Sequence, residues 1–572
     1  MYKYLWLLLA ALCSLAFTAD DRKEYPLNYF RSPVNHPIRL SGTFGELRPN
    51  HLHAGIDIKS KDGKIGQPLF ATADGYVSRI KIQSGGYGNV LYFNHPNGYT
   101  SVYAHLKEFP TAIAEYVKEY QYKRKSFELE LFPEANRFFF KKGEIVGKLG
   151  LSGRSFGPHL HFEIRDTRTE KPINPLLFGI DVTDKIPPKL HKLKAYHLND
   201  KLETIGEQSF SLIRKGRDYG IKGDTLYLAA WRTGLALKAF DHMNGASNWN
   251  GIYSLEMKVD QQTAYQFEME TFAFSETRYI NAHLDYAEQV SRKSYYHRCY
   301  QLPGNRLSIY SQQKDNGVIQ LSKSKAQLVE MIAEDVDGNK ASLRFWVKRK
   351  EVSPPESKAF NYLLPYDEEN AIQNASLDLF FPKNTFYENV YLQYHTSREK
   401  SAGVYSSVHH IHNFKTPVHR YYDIAIRPNQ IPDELRDKAY VAYCRKDGKM
   451  ESCGGEWKDG LLQTQVRSFG DYCIMVDKTA PRIQPIQFRY NMQGSSRMSF
   501  KVTDNIPTAR NVDYIRYEAT VDGKWLLMDY DAKKDLLTHR FDGTIERGEH
   551  VLRLMASDSR GNQKVFERKF KR

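Results

Sequence analysis

Three short stretches carry histidines and carboxylates at spacings that suit metal chemistry. In Gly153-Arg154-Ser155-Phe156-Gly157-Pro158-His159-Leu160-His161-Phe162-Glu163, polar and apolar residues alternate from His159 onward, the period of a strand with one face turned into a site. At that period His159, His161 and Glu163 point one way, and Leu160 and Phe162 the other. Two imidazoles side by side make a poor core and a good metal edge, although His-x-His alone is a weak signal, common on exposed sheet faces. Upstream lies His53-Ala54-Gly55-Ile56-Asp57, where an extended chain puts His53 and Asp57 on one face, with Gly55 leaving room for an ion. The third stretch is Tyr103-Ala104-His105-Leu106, in another strand-like run. Two histidines and one carboxylate fill three positions of a tetrahedral zinc site and leave the fourth to water, the open arrangement of a catalytic zinc. Two histidines then remain for proton handling.

Taken in order, His53-x-x-x-Asp57, Tyr103-Ala104-His105-Leu106 and Gly153-Arg154-Ser155-x-Gly157-Pro158-His159-Leu160-His161-Phe162-Glu163 resemble the lysostaphin/LytM-type zinc metallopeptidases (peptidase family M23). The resemblance covers roughly Ser41 to Phe178, under a third of the chain. It implies an antiparallel-sheet catalytic domain with one Zn2+ held by His53, Asp57 and His161. It also implies His105 and His159 as acid/base and oxyanion-stabilising groups, without dividing those roles. The family cleaves peptide cross-links of bacterial peptidoglycan, usually at D-alanyl bonds where stem peptides are directly linked, using a metal that lowers the pKa of bound water towards ~7 and polarises the scissile carbonyl. Glu163 either orients a ligand histidine or forms a salt bridge, and the salt bridge is the expectation. Every ligand and both further histidines are present, unlike in degenerate relatives that act only as binding or amidase-activating modules. Two alternatives remain: a non-hydrolytic envelope scaffold using this domain and later modules for binding, and a zinc protease acting on a protein.

The elements that must position these residues read as short strands. Ser41 to Arg48 resembles the family's approach to the groove, which makes Arg48 a candidate groove residue, although it comes one position later than in the family pattern. His51 is expected at the groove or surface. Asp74-Gly75 marks a turn between strands. Gly85-Gly86 is followed by neither Gly-Lys-Ser nor a helix, so it is not a phosphate loop, and it forms either a groove wall or a simple hairpin. His95 is expected to be exposed in a turn. Between about 108 and 141 an insertion interrupts the pattern, helix-like over Ile113 to Lys123 and strand-like over Phe127 to Leu131. It acts as a lid beside the groove or is a structural excursion.

The chain of 572 residues is far longer than the ~150 of one domain. Lys and Arg number 82 against 67 Asp and Glu, a formal charge of +15, which suits attraction to an anionic polymer. No nucleic-acid-binding signature is present, so an anionic cell wall or membrane surface fits better. Residues 1–19 read as a secretory signal peptide, with an apolar run too short to span a membrane comfortably. Leu12 before Cys13 is larger than a lipobox residue, which argues against a lipid anchor. With no transmembrane segment after signal removal, the mature chain is expected in the periplasm or cell envelope. Cys299, Cys444, Cys453 and Cys473 then remain; three full pairings are possible, and the sequence selects none.

Beyond about Asp184 the texture is β-rich, with many short runs between turns. Proline-marked linkers (Asp184-Lys185-Ile186-Pro187-Pro188, Ser353-Pro354-Pro355, Asp477-Lys478-Thr479-Ala480-Pro481) divide the chain into a catalytic domain at 20–183 and three β-sandwich modules at 184–352, 353–476 and 477–572. The outer two resemble immunoglobulin- or fibronectin-type folds. A weak repeat links those two: Asp335-Val336-Asp337-Gly338-Asn339 matches Asp558-Ser559-Arg560-Gly561-Asn562, and Phe240-Asp241 leading to Val259-Asp260 parallels Thr503-Asp504 leading to Val521-Asp522-Gly523. One Asp-x-x-Gly-Asn turn supplies too few oxygens for calcium, so a plain hairpin turn is expected. His409, His410 and His412 are expected to be exposed polar residues, with a second metal site the lesser reading. The modules are candidate surfaces for an envelope protein partner, beside the peptidoglycan stem peptides expected at the catalytic site.

Overall fold

The apolar face of the alternating run decides where the site sits. The computed structural model describes residues 24–351, 359–398 and 403–572; the expected signal segment with Cys13 and the Pro354-Pro355 linker lie outside them. The strand His159–Asp166 is flanked by Ile56–Lys59 on one side and Tyr99–Ala104 on the other, both antiparallel. His161 pairs with Asp57 across the first join and with Ala104 across the second. The sheet runs Leu40–Gly42, Ile56–Lys59, His159–Asp166, Tyr99–Ala104, Val90–Asn94, Gly75–Ile82 and Phe139–Phe140. Ile56, Ile58, Leu160, Phe162 and Ile164 are fully buried in one core with Val77, Leu91 and Phe93, each worth about 1.5–3 kcal/mol of transfer free energy. A one-residue slip of the central strand would send its histidines into that core, so burial fixes the register.

The insertion forms the helix Thr111–Arg124, with Ile113, Tyr116 and Val117 buried. Its strands Leu129–Leu131 and Phe139–Phe140 both pair with Gly75–Ile82, at the sheet edge away from the histidines. It therefore extends the sheet rather than covering the groove. Its helix instead meets the far end of the chain: Lys118 pairs with Asp542, and the Tyr122 ring lies edge-on to Trp525 at 5.4 Å.

A twelve-stranded sheet follows between Lys189 and Arg349, largely antiparallel, with Asp218–Ile221 and Thr225–Leu228 joined parallel to Lys340–Arg349. Its core takes in Phe44, Leu47, Leu52 and Ala54 from the N-terminal unit, and the Phe44 ring lies 5.1 Å from that of Phe272. The approach segment expected to line a groove is thus largely core. Residues 361–477 hold two five-stranded sheets, and the chain ends in two four-stranded ones. The Cys444 and Cys473 sulfurs lie 3.7 Å apart on neighbouring strands, while Cys299 is buried in the twelve-stranded unit.

Candidate metal centre

Strand pairing brings three donor atoms to one point. His53 Nε2 lies 3.1 Å from Asp57 Oδ1 and 3.0 Å from His161 Nδ1, and His161 Nδ1 is 2.9 Å from the same Asp57 oxygen. All three residues are buried. The outer nitrogen of each ring is committed elsewhere: His53 Nδ1 donates to Thr43 O at 2.7 Å, and His161 Nε2 donates to Glu163 Oε1 at 2.8 Å. Those bonds leave His53 Nε2 and His161 Nδ1 as the atoms that would turn lone pairs to a metal, which there would replace the His161 Nδ1–Asp57 hydrogen bond. Zinc bonds of about 2.0–2.2 Å in a tetrahedron place donors about 3.3 Å apart, so the spacing and the His2Asp donor set fit Zn2+. Gly55 serves a different purpose from the one expected. A Cβ there would meet Phe162 O at 2.3 Å, so its room is taken by the neighbouring strand and not by an ion.

His105 and His159 stand beside this point with ring centroids 4.8 Å apart. His159 Nε2 lies 3.6 Å from Asp57 Oδ1. Both rings are held through Nδ1 by backbone carbonyls, His105 by Ser152 O at 2.9 Å and His159 by Gly157 O at 2.7 Å. His105 follows the strand Tyr99–Ala104 at φ 61°, a left-handed conformation that costs a non-glycine residue roughly 1–3 kcal/mol and turns its side chain into the site. Ser152 is itself fixed by Gly85-Gly86 and its neighbours: Asn89 N donates to Ser152 Oγ at 2.9 Å and Arg154 N to Gly86 O at 2.8 Å. Gly88 and Gly153 sit at φ 67° and 66°, and a Cβ on Gly153 would meet Gly88 N at 2.3 Å. The glycine pair thus belongs to a buttress for His105.

The profile of peptidase family M23 matches residues 51–122, which contain His53, Asp57 and His105. The chain carries a peptidase family M23 domain. His159 and His161 come from beyond the matched span, after the insertion. The chain is similar to the DD-carboxypeptidase/endopeptidase Mpg of Neisseria meningitidis, 35% identical over 189 residues that cover 32% of this chain and 34% of that protein. It is also similar to the peptidoglycan DD-endopeptidase ShyC of Vibrio cholerae, 30% identical over 24% of this chain and 25% of that protein. The match thus spans about a third of the length of the Neisseria relative. Among solved structures, the catalytic domain of lysostaphin from Staphylococcus simulans is similar over 25% of this chain and 91% of that one, at 20% identity and a TM-score of 0.19. Residues 361–477 match the profile of a Zu5-like domain.

Around the M23 centre the structure adds partners that residue spacing did not show. Arg48 Nη2 donates to Asp57 Oδ2 at 2.7 Å, so Arg48 braces the carboxylate. Glu163 both orients a ligand histidine and forms a salt bridge. It accepts from His161 and, through Oε2, from Arg165 Nε at 2.6 Å, and the Tyr87 hydroxyl donates to it as well. Arg165 lies two residues after Glu163 on the same strand face, so the same alternation points to it. Thr43, Ser152 and Gly157 act through backbone carbonyls, for which residue type carries no signal.

Charge follows from this packing. Burial, with the Arg48 charge adding to it, pushes His53 down to about 4. Burial opposes the charged form of His161, yet its hydrogen bonds to Asp57 and Glu163 prevail and raise it. Asp57 is held well below its usual range by the two imidazoles against the effect of burial. His105 is pushed down to about 3 and His159 is lowered, mainly by burial, so both are neutral at neutral pH.

Other histidines stay apart from the centre. His51 is exposed, and its ring bonds Pro49 O. His95, expected to be exposed, is buried between Asp74 O at 2.8 Å and Ser101 Oγ at 2.7 Å. His409 is also buried, stacked on Tyr394. His410 finds an acidic partner in Asp471, 2.8 Å away on the next strand, and His412 lies beyond the end of the strand Val408–Ile411.

Proposed function

We propose that this chain is an exported zinc endopeptidase that hydrolyses peptide cross-links of bacterial peptidoglycan, at the D-alanyl bond of directly linked stems. The observation that carries the reading is the meeting of His53 Nε2, Asp57 Oδ1 and His161 Nδ1 beside two further histidines whose Nδ1 atoms are already committed. His53, Asp57 and His161 would hold one Zn2+, which lowers the pKa of a bound water and polarises the scissile carbonyl.

The rest of the work falls to the chain. Arg48 and Glu163 hold Asp57 and His161 in place. With Nδ1–H bonded to a carbonyl, the Nε2 of His105 and of His159 is the atom that accepts a proton from the attacking water. Once protonated, the same Nε2 donates to the developing oxyanion or to the leaving amine. Phe156, 93% exposed and three residues before His159 in the chain, offers an apolar contact to a stem peptide. The +15 charge favours approach to an anionic wall. No helix among the described residues is long and apolar enough to cross a membrane.

The test is incubation of the zinc-loaded protein with purified sacculi, followed by mass spectrometry of the soluble fragments. Cross-linked dimers are expected to disappear as monomer stems appear, with chelator blocking the change. Intact cross-links in the presence of bound zinc would contradict the reading and favour a protein substrate.

A further inference from the structure

Beyond the M23 domain two groups of acids converge, and they are built alike. Asp184, Asp241 and Asp335 each bring a carboxylate oxygen within 4.8 Å of the others, and Asp477, Asp504 and Asp558 do the same. Each triad draws on the same three places. One aspartate opens a proline-marked linker (Asp184, Asp477) and one follows a strand, Arg232–Phe240 or Arg497–Thr503 (Asp241, Asp504). The third begins an Asp-x-x-Gly-Asn turn (Asp335, Asp558). Hydrogen bonds repeat too: Oδ1 of Asp335 accepts from Asp337 N and Asn339 N, both at 2.9 Å, as Oδ1 of Asp558 accepts from Arg560 N at 2.8 Å and Asn562 N at 2.9 Å.

The atoms left without a partner point to a ligand. Asp241 is only 1% exposed, and its Oδ1 receives no hydrogen bond. Asp184 is 8% exposed, and its Oδ2 receives none. Asn250 is fully buried directly across an antiparallel bridge from Asp241, and both its Oδ1 and its Nδ2 are unbonded. In the second triad Asp504 Oδ1 is likewise buried without a donor. Among the described residues no lysine or arginine forms an ion pair with any of the six aspartates. Burial first, then repulsion from the neighbouring carboxylates, pushes Asp241 up to about 8 and Asp184 up to about 6. Buried charge with nothing to offset it costs several kcal/mol per group; at the second triad Lys438 and Arg560 offset part of it from beyond ion-pair distance.

We propose that each triad is a Ca2+ site that ties its linker to the β module it opens. The donors are carboxylate and amide oxygens only, a hard set that suits Ca2+ and not zinc or another nitrogen- and sulfur-seeking metal. A single Asp-x-x-Gly-Asn turn is too poor in oxygens. The fold supplies the rest by bringing the linker aspartate and the strand-end aspartate to it. The linker is bound in from the other side as well, since Asn339 Nδ2 reaches Asp184 O at 3.5 Å and Asn562 Nδ2 reaches Asp477 O at 3.0 Å. An ion here would stiffen the joint before the twelve-stranded unit and the joint before the last module, without touching the catalytic histidines.

The test is calorimetric titration of the full zinc-loaded chain, first dialysed free of calcium, with CaCl2, alongside thermal unfolding. Two ions per chain and a rise in Tm of several degrees are expected, with a smaller effect from MgCl2 at equal concentration. Asp241→Asn and Asp504→Asn should each remove one ion, and the double variant both, while hydrolysis of sacculi with zinc present is unchanged. In calcium-free buffer Asp241→Asn should melt no lower than the parent chain, because the amide relieves repulsion; that separates loss of a site from loss of the fold. No calcium heat and no change in Tm for the parent chain would overturn the proposal, as would an unchanged stoichiometry of two in the folded double variant.

Discussion

The M23 centre and the aspartate triads both gather acids in the interior, in opposite ways. At the M23 centre each ring and carboxylate has a second atom tied to the protein: His53 to Thr43, His161 to Glu163 and Asp57 to Arg48. At the triads, oxygens of Asp184, Asp241 and Asp504 have nothing bonded to them. The first arrangement sets the orientation and tautomer of nitrogen donors before a metal arrives. The second sets buried carboxylates side by side, a repulsion that a bound cation would relieve. Mixed donors on adjacent strands make a centre for chemistry, whereas oxygen-only donors from a linker, a strand end and a turn make a clasp.

Substitutions should separate the two. The largest effect is expected from His53→Ala or His161→Ala, which should abolish zinc binding and reduce hydrolysis to background, while Asp335→Asn in the first triad leaves hydrolysis intact. Next, His105→Ala and His159→Ala should lower turnover by about 10²–10⁴-fold with zinc content unchanged, measured by metal analysis beside sacculus digestion. Glu163→Gln should weaken zinc binding or activity by about 10–100-fold, since it loses the charge that orients His161.

The pH dependence of stability sharpens the contrast. Burial pushes His297 down to about 3 and holds His283 well below its usual value. In the unfolded chain both take up protons near 6.5, so their stabilising contribution is complete above that pH and is lost as pH falls towards 3. Asp241 has the opposite sign. Its folded value is raised to about 8, so its contribution is present below about 4 and is lost as pH rises through 8. Thermal melts in calcium-free buffer should therefore show losses on both sides, and added Ca2+ should remove only the alkaline one. The smallest effect concerns the last module, where Lys533 Nζ donates to Leu151 O at 2.7 Å and Ser155 O at 3.1 Å, on the loop that anchors His105. Lys533→Ala should cost about 1 kcal/mol of stability and loosen that loop, read as faster amide exchange around Ser152.

How much was legible in the sequence follows from how each site is made. Donors spaced two apart on a strand advertise themselves, and His159, His161 and Glu163 did. His53 and Asp57 were visible as a pair, although the room beside Gly55 belongs to Phe162. The repeat that set Asp241 beside Asp504, and Asp335 beside Asp558, was also visible as pattern. Its meaning was not, because Asp184 and Asp335 meet only once the twelve-stranded sheet has closed between them. His95 and His409 misled for a related reason: a polar side chain gives no sign of burial in the sequence until Ser101 or Tyr394 is packed against it. The burial of Phe44 was likewise hidden, since its partner Phe272 is supplied by the next unit of the chain.

The central claim is that His53, Asp57 and His161 hold a catalytic zinc while His105 and His159 move protons. The most direct measurement is zinc content and sacculus hydrolysis determined together on the parent chain, His53→Ala and His105→Ala. One zinc with activity, no zinc without activity, and one zinc without activity, in that order, is the predicted result. A His53→Ala protein that keeps its zinc and its activity, or a folded His105→Ala protein that loses its zinc, would contradict it.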